Sequence, residues 1–271
     1  MSVIKKISYH PWLVAVVRFL HLQKILKYAY FYANRPRDGF FPLTIGGIKA
    51  KVYINKPEEL RFLESIDKAE GEKKILEGFI QELKAGDIVY DVGAHVGLYT
   101  IFLAQKVGNT GRVIAFEPDE TVAFNLEKSI AHNKLENVVL IKKALGNNRG
   151  MATLYQGETI GNTSLVKTYE KTVGENQVPV ITADELVLEN NLPIPTLVKM
   201  DIEGYEYEAL LGMQETLRHR DCRMLCLEIH PGILPEGVTE DDIMALLQRL
   251  GFVTITARQR ELNSYHVIAR K

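Results

Sequence analysis

A chain of 271 residues with 33 basic and 34 acidic side chains carries a formal net charge of -1, so no overall field draws it to nucleic acid. Its 46% hydrophobic and 25% charged fractions are those of an ordinary globular protein able to bury one large core. The two cysteines, Cys222 and Cys226, fall on one apolar run, where an extended strand holds them about 13 Å apart, too far for a disulfide.

The first residues, to about Tyr32, read as helical. Met1 to Asp38 contains seven Lys or Arg and one acid, interleaved with Trp12, Phe19, Tyr28, Tyr30 and Phe31. No uncharged run approaches the roughly 20 residues that span a bilayer, and no secretory cleavage pattern is present. Such a segment can make a peripheral contact with the inner membrane surface, but Arg18 interrupts its apolar face among Leu22, Leu26 and Ala29. A helical cap or partner-docking arm is the favoured alternative. Free thiols and the missing leader together point to the cytoplasm.

Arg35 to Gly39 is a turn, and Phe40 to Ile54 predicts a hairpin about Gly46-Gly47. Residues 1–56 thus form a helical and hairpin extension to a main domain over 57–271. Pro57 opens a helical region through Leu83, with Leu60, Leu63, Ile75, Leu76 and Phe79 as core candidates. From Gly86 strands and helices alternate. Strands are expected at Ile88–Val92, Val113–Glu117, Val138–Ile141, Leu197–Met200 and Met224–Ile229. Helices are expected at Leu98–Val107, Asp119–Asn133, Glu206–Arg218 and Glu240–Leu250. Val253–Ala257 and Tyr265–Ala269 close the chain as an antiparallel pair. This rhythm predicts an α/β fold: a Rossmann-like, mostly parallel, doubly wound sheet of strand order 3-2-1-4-5 with an antiparallel C-terminal edge. The polar stretch 156–177 lacks apolar periodicity and reads as a mobile loop or lid.

Ligands of such sheets bind beyond the carboxyl ends of the strands at the switch point. There stands Asp91-Val92-Gly93-Ala94-His95-Val96-Gly97, and one strand later Glu117-Pro118, whose carboxylate can accept both hydroxyls of a ribose. A dinucleotide site needs G-x-G-x-x-G for its pyrophosphate. Here the pattern is G-x-x-x-G, with His95 at the middle glycine. S-adenosylmethionine has no phosphate and carries a sulfonium, which suits the acid Asp91. An NAD-dependent oxidoreductase and a non-catalytic scaffold of the same fold are the alternative readings.

Asp91 to Thr100 (DVGAHVGLYT), Phe116-Glu117-Pro118, Val198 to Glu206 (VKMDIEGYE) and Leu227 to Pro231 (LEIHP) together resemble the FkbM-type methyltransferases, in order over roughly Gly86 to Pro231. The resemblance implies a class I methyltransferase fold and S-adenosylmethionine-dependent methylation of a hydroxyl on a sugar, glycan or related secondary metabolite. It also implies that Gly93, Gly97 and Glu117 contact the cofactor and that Lys143-Ala144 flank the adenine. The first 50 residues lie outside it.

Two blocks offer chemistry at the methyl group: Lys199 to Gly204 after the fourth strand, and Glu228-Ile229-His230 after the fifth. His230 has the intrinsic pKa of a general base near neutrality, with Asp201 or Glu203 to orient it. Alternatively Asp201 and Glu228, with His230 or Glu203, hold a divalent metal. So oxygen-rich a set suits Mg²⁺ or Mn²⁺. Each has a plain structural counterpart: Asp201 or Glu203 as a cap for the following helix, Glu228 paired with Lys199 across strands, and His230 as a bonded loop residue.

Overall fold

The computed structural model describes residues 23–66, 72–157, 163–167, 172–261 and 264–271. The basic, aromatic start of the chain therefore lies mostly outside the described residues. Helix α1 (Gln23–Asn34) leads into a hairpin of β1 (Phe40–Ile45) and β2 (Ile48–Tyr53). Gly46 and Gly47 both take positive φ (56° and 79°), the conformation a two-residue hairpin turn requires. The expected Pro57–Leu83 helix is two, α2 (Pro57–Ser65) and α3 (Glu72–Glu82). Glu59 starts α2 by accepting the backbone N–H groups of Asn55 and Lys56.

The alternating part follows as β3 (Ile88–Val92), α4 (Leu98–Val107), β4 (Arg112–Phe116), α5 (Glu120–His132), β5 (Val138–Ile141) and β6 (Ala144–Leu145). A polar excursion comes next: β7 (Gly150–Gly157), β8 (Thr163–Ser164) and β9 (Thr172–Ile181). The chain ends with α6 (Ala183–Asn190), β10 (Leu197–Met200), α7 (Glu206–Leu211), α8 (Gln214–Arg218), β11 (Met224–Ile229), α9 (Glu240–Arg249), β12 (Thr254–Glu261) and β13 (Ser264–Arg270).

Seven strands form the central sheet in the order β12-β13-β11-β10-β3-β4-β5. β11 through β5 are parallel and β13 is antiparallel to both its neighbours, as the strand rhythm predicts. Every residue of β10 and β11 is buried, because helices cover both faces. One face packs Val89, Leu76 and Ile101 with Phe31 and Val52 of the N-terminal extension. The other packs Tyr90, Val198 and Leu225 with Leu210 and Leu246. β2 is also tied to α5: Asn133 exchanges two hydrogen bonds with the Lys51 backbone, and Tyr53 N–H donates to Ser129 Oγ.

Three local differences from expectation have clear causes. The stretch 156–177 contains more strand than its composition predicts. β7 and β9 pair through Tyr155↔Glu175 and beyond, as a largely polar ribbon without the alternation that betrays a half-buried strand. The expected Glu206–Arg218 helix breaks at Gly212, where an added Cβ would stand 1.8 Å from the Gly146 carbonyl oxygen of a crossing loop. Helix α6, absent from the sequence reading, is nucleated by a reciprocal cap in which Thr182 and Glu185 each accept the other's backbone N–H. Among the described residues no helix is long and apolar enough to cross a membrane.

Candidate active site

A cleft of about 410 Å³ opens at the carboxyl ends of β3, β4, β10 and β11. Its floor is the turn after β3. Gly93 (φ 80°) passes so close to the end of β10 that a Cβ would lie 2.0 Å from the Asp201 carbonyl oxygen, so only glycine fits. His95 also takes positive φ (50°) and its backbone N–H donates to Glu117 Oε2 at 2.9 Å. Glu117 Oε1 accepts the N–H of Asp119, so both carboxylate oxygens are aimed by backbone bonds. Burial pushes the Glu117 carboxyl up to about 7, against the pull of those two bonds. The His95 imidazole is driven down to about 4 by burial and by the Lys199 charge, which keeps it neutral.

Of the residues expected on the cofactor side, Ala94, His95, Pro118, Lys143 and Ala144 line this end of the cleft, and Asp91 and Gly97 do not. Asp91 is completely buried, accepting Thr100 Oγ1 at 2.5 Å and facing the Lys199 ammonium at 3.5 Å. Inside the protein its charge faces that of Lys199. Gly97 serves packing: a Cβ there would meet Leu126 Cδ1 of α5 at 2.3 Å.

At the other end, β10 and β11 deliver a cluster of acids about one imidazole. His230 Nε2 stands 3.5 Å from Glu203, 3.5 Å from Glu228 and 4.0 Å from Asp201. Its Nδ1 lies 3.0 Å from Oε1 of the fully buried Glu206. Burial alone would lower the His230 pKa, but the Glu206 bond and the charges of Glu203 and Asp201 outweigh it and hold the imidazole up, at about 10. Burial and the Asp201 charge likewise raise the Glu203 carboxyl to about 8. The arrangement thus favours the protonated imidazole over the neutral one expected near pH 7, because the Glu206 hydrogen bond and the surrounding acids stabilise its proton. Glu203 has positive φ (53°) and its carbonyl accepts Ser164 Oγ of β8, so the polar ribbon is fastened to the acid cluster.

Of the plain structural alternatives one is present: His230 is a loop residue hydrogen-bonded to Glu206. Neither Asp201 nor Glu203 caps α7, whose first residue, Glu206, accepts the Gly204 N–H instead. Lys199 pairs with Asp91 and Asp201, while Glu228 stands between His230 and His266, 3.5 Å from each. A metal-sized grouping exists, but its three members are Asp201, Glu203 and His230, with ligand atoms all within 4.8 Å. Glu203 takes the place expected for Glu228, because the left-handed turn after β10 folds it back over Asp201.

Sequence reasoning placed Lys199 in the reactive block with only a structural ion pair for it, and missed Glu206 and His266 as members of the site. Glu206 carries a faint signal, three residues after Glu203 across a glycine turn. His266 carries none, since it reaches Glu228 only through the antiparallel register of β11 and β13.

Residues 91–254 match the methyltransferase FkbM domain, and residues 29–152 match the protein-L-isoaspartate(D-aspartate) O-methyltransferase family. The hexuronic acid methyltransferase AglP of Haloferax volcanii is 26% identical over 196 residues, covering 72% of this chain and 77% of that protein. Among solved structures, an S-adenosylmethionine-dependent O-methyltransferase from Thermotoga maritima is similar at a TM-score of 0.46 and 17% identity, over 85% of this chain and 77% of that one. A precorrin-6y C5,15-methyltransferase from Geobacter metallireducens is similar at a TM-score of 0.46 and 14% identity, over 76% of this chain and 91% of that one. The FkbM match takes in the glycine turn, Glu117 and both reactive strand ends, and it spans more than half of the chain. This is a member of the FkbM methyltransferase family, an enzyme that uses S-adenosylmethionine as its methyl donor.

Proposed function

We propose that the enzyme methylates a hydroxyl of a sugar, the acceptor being a glycan that contains a hexuronic acid or a close relative. The observation that carries this reading is the convergence of Asp201, Glu203, Glu228 and His230 on the cleft that also holds the Gly93 turn and Glu117. The acceptor class rests on the hexuronic acid methyltransferase that the chain resembles.

S-adenosylmethionine supplies the electrophilic methyl group on a sulfonium. The chain must then hold an acceptor oxygen in line and remove its proton. Asp91, Gly93, Ala94, His95, Gly97, Glu117, Pro118, Lys143 and Ala144 are the cofactor-side residues of this proposal. Glu117 accepts from ribose hydroxyls, and Asp91 and Gly97 act through the shape of the turn. Asp201, Glu203 and His230 are the catalytic residues. Their acids hold a proton on His230 in the free enzyme. Positive charge brought into the same acid cluster weakens the hold on that proton, so the imidazole becomes available as general base.

Incubation of the purified chain with S-adenosylmethionine and uronic-acid-containing oligosaccharides tests the reading, with product located by mass spectrometry. An alkali-stable methyl ether on a sugar hydroxyl is expected. An alkali-labile product would put the methyl on the carboxylate instead, and no transfer to any sugar would end the proposal. His230→Ala should lower kcat by about 10²–10⁴-fold while cofactor affinity stays within about threefold.

A second reading is favoured by the close grouping of Asp201, Glu203 and His230. These residues fit one hard divalent cation, Mg²⁺ or Mn²⁺, which would lower the acceptor hydroxyl's pKa. The proton now held by His230 would have to leave first.

For location we propose the cytoplasm, supported by the two buried free thiols. A peripheral contact with the inner membrane is supported by Ile25, Tyr28 and Tyr32, which α1 leaves exposed. Cosedimentation with anionic against neutral vesicles tests it.

A further inference from the structure

We infer that Lys199 anchors the carboxylate of the cofactor's amino-acid tail and sets which adenosyl thioethers the cleft accepts. The cleft wall carries Glu72, Glu117, Asp119, Asp201, Glu203 and Glu228, an acidic lining in which the one imidazolium, His230, is already ringed by acids. That surface suits a sulfonium and an ammonium, and it opposes the one anionic group the cofactor bears. Among the described residues lining the cleft, the lysines are Lys143 and Lys199. Lys143 follows β5, on the side flanked by Glu117 and Pro118, whereas Lys199 belongs to β10 and reaches the Gly93 turn.

The Lys199 side chain is nearly buried, with 8% of it exposed, and Lys199 lines the cleft together with Gly93 and Tyr99, which its ammonium touches. It lies over the Tyr99 ring at 4.9 Å and donates to the Gly93 carbonyl at 3.1 Å. Its ion pairs to Asp91 (3.5 Å) and Asp201 (3.9 Å) are longer than hydrogen bonds. An ammonium has three N–H donors, so this geometry leaves capacity for a ligand carboxylate at the Gly93 turn. The competing role is purely internal: Lys199 neutralises Asp91 and steadies the turn, with no ligand contact. The two roles differ in what happens to ligands that lack a carboxylate.

The inference rests on S-adenosylmethionine occupying this cleft, and the experiment separates the two. Calorimetry on the full chain compares S-adenosylhomocysteine, its decarboxylated analogue and 5′-methylthioadenosine, which lacks the amino-acid tail. In the wild type the decarboxylated analogue should bind about ten- to a hundredfold more weakly than S-adenosylhomocysteine, the size of one charge-assisted hydrogen bond. Lys199→Met should close that gap by weakening S-adenosylhomocysteine alone, leaving 5′-methylthioadenosine within about threefold. Equal weakening of all three ligands would make Lys199 a turn support and overturn the inference. If Lys199→Met does not fold, the wild-type comparison still decides, because equal affinity for the acid and its decarboxylated analogue overturns it. Failure of every probe to bind the wild type would instead remove the cofactor cleft itself.

Discussion

Nδ1 of His230 and Oε1 of Glu206 lie 3.0 Å apart, and the same Glu206 oxygen accepts the backbone N–H of Gly204. One fully buried carboxylate therefore fixes both the imidazole and the turn that carries Glu203. Nε2 is left to Asp201, Glu203 and Glu228. This is the logic of a base oriented by a second group, assembled from two strand ends and one helix start.

Glu206→Gln keeps the shape and removes the charge. Loss of that charge takes away a main support of the His230 proton, so the acid limb of the pH–rate profile should move down by one unit or more. The maximum kcat should fall about tenfold or more, with the affinity for S-adenosylhomocysteine unchanged. A profile identical to that of the wild type would sever Glu206 from the mechanism.

Glu117 governs how cofactor affinity responds to pH. Its carboxyl sits at about 7 because of burial. Ribose hydroxyls favour the charged form, so binding lowers that pKa. Affinity is then full above pH 7 and falls by up to about tenfold per unit below it. Titration calorimetry from pH 8 to 5.5 should show that slope. Glu117→Gln should bind weakly with no slope at all.

Gly93→Ala forces an L residue into positive φ and drives a methyl group to 2.0 Å from the Asp201 carbonyl. Strain and overpacking together should cost about 2–4 kcal/mol, read as a Tm lower by roughly 5–15 °C. Cofactor binding should be lost at the same time. Gly78→Ala is the control: nothing lies within 4 Å of its added Cβ, on helix α3, and stability should hold or rise.

Exhaustive dialysis against EDTA separates the two catalytic readings. With His230 as base, turnover should stay within about twofold of the untreated enzyme. A collapse of activity restored by Mg²⁺ or Mn²⁺, and abolished by Asp201→Asn, would instead hand the grouping of Asp201, Glu203 and His230 to a metal.

Ile88–Val92, Leu98–Val107, Val138–Ile141, Leu197–Met200 and Met224–Ile229 were all readable in the sequence, with their order in the sheet. Each is an apolar run or helix bounded by its own turn residues, so the signal is local. Gly93, Glu117, Asp201, Glu203 and His230 were readable too, since a switch-point site collects whatever stands at the strand ends. Only the folded chain could decide the rest. Asp91 turned inward to Lys199, Gly97 became a contact between helices, Glu203 displaced Glu228 beside Asp201, and His266 entered from the edge hairpin. Protonation was decided there as well. The pKa of an imidazole depends on the charges within a few ångströms, and the acids that lift His230 come from separate strands and turns that no sequence spacing relates.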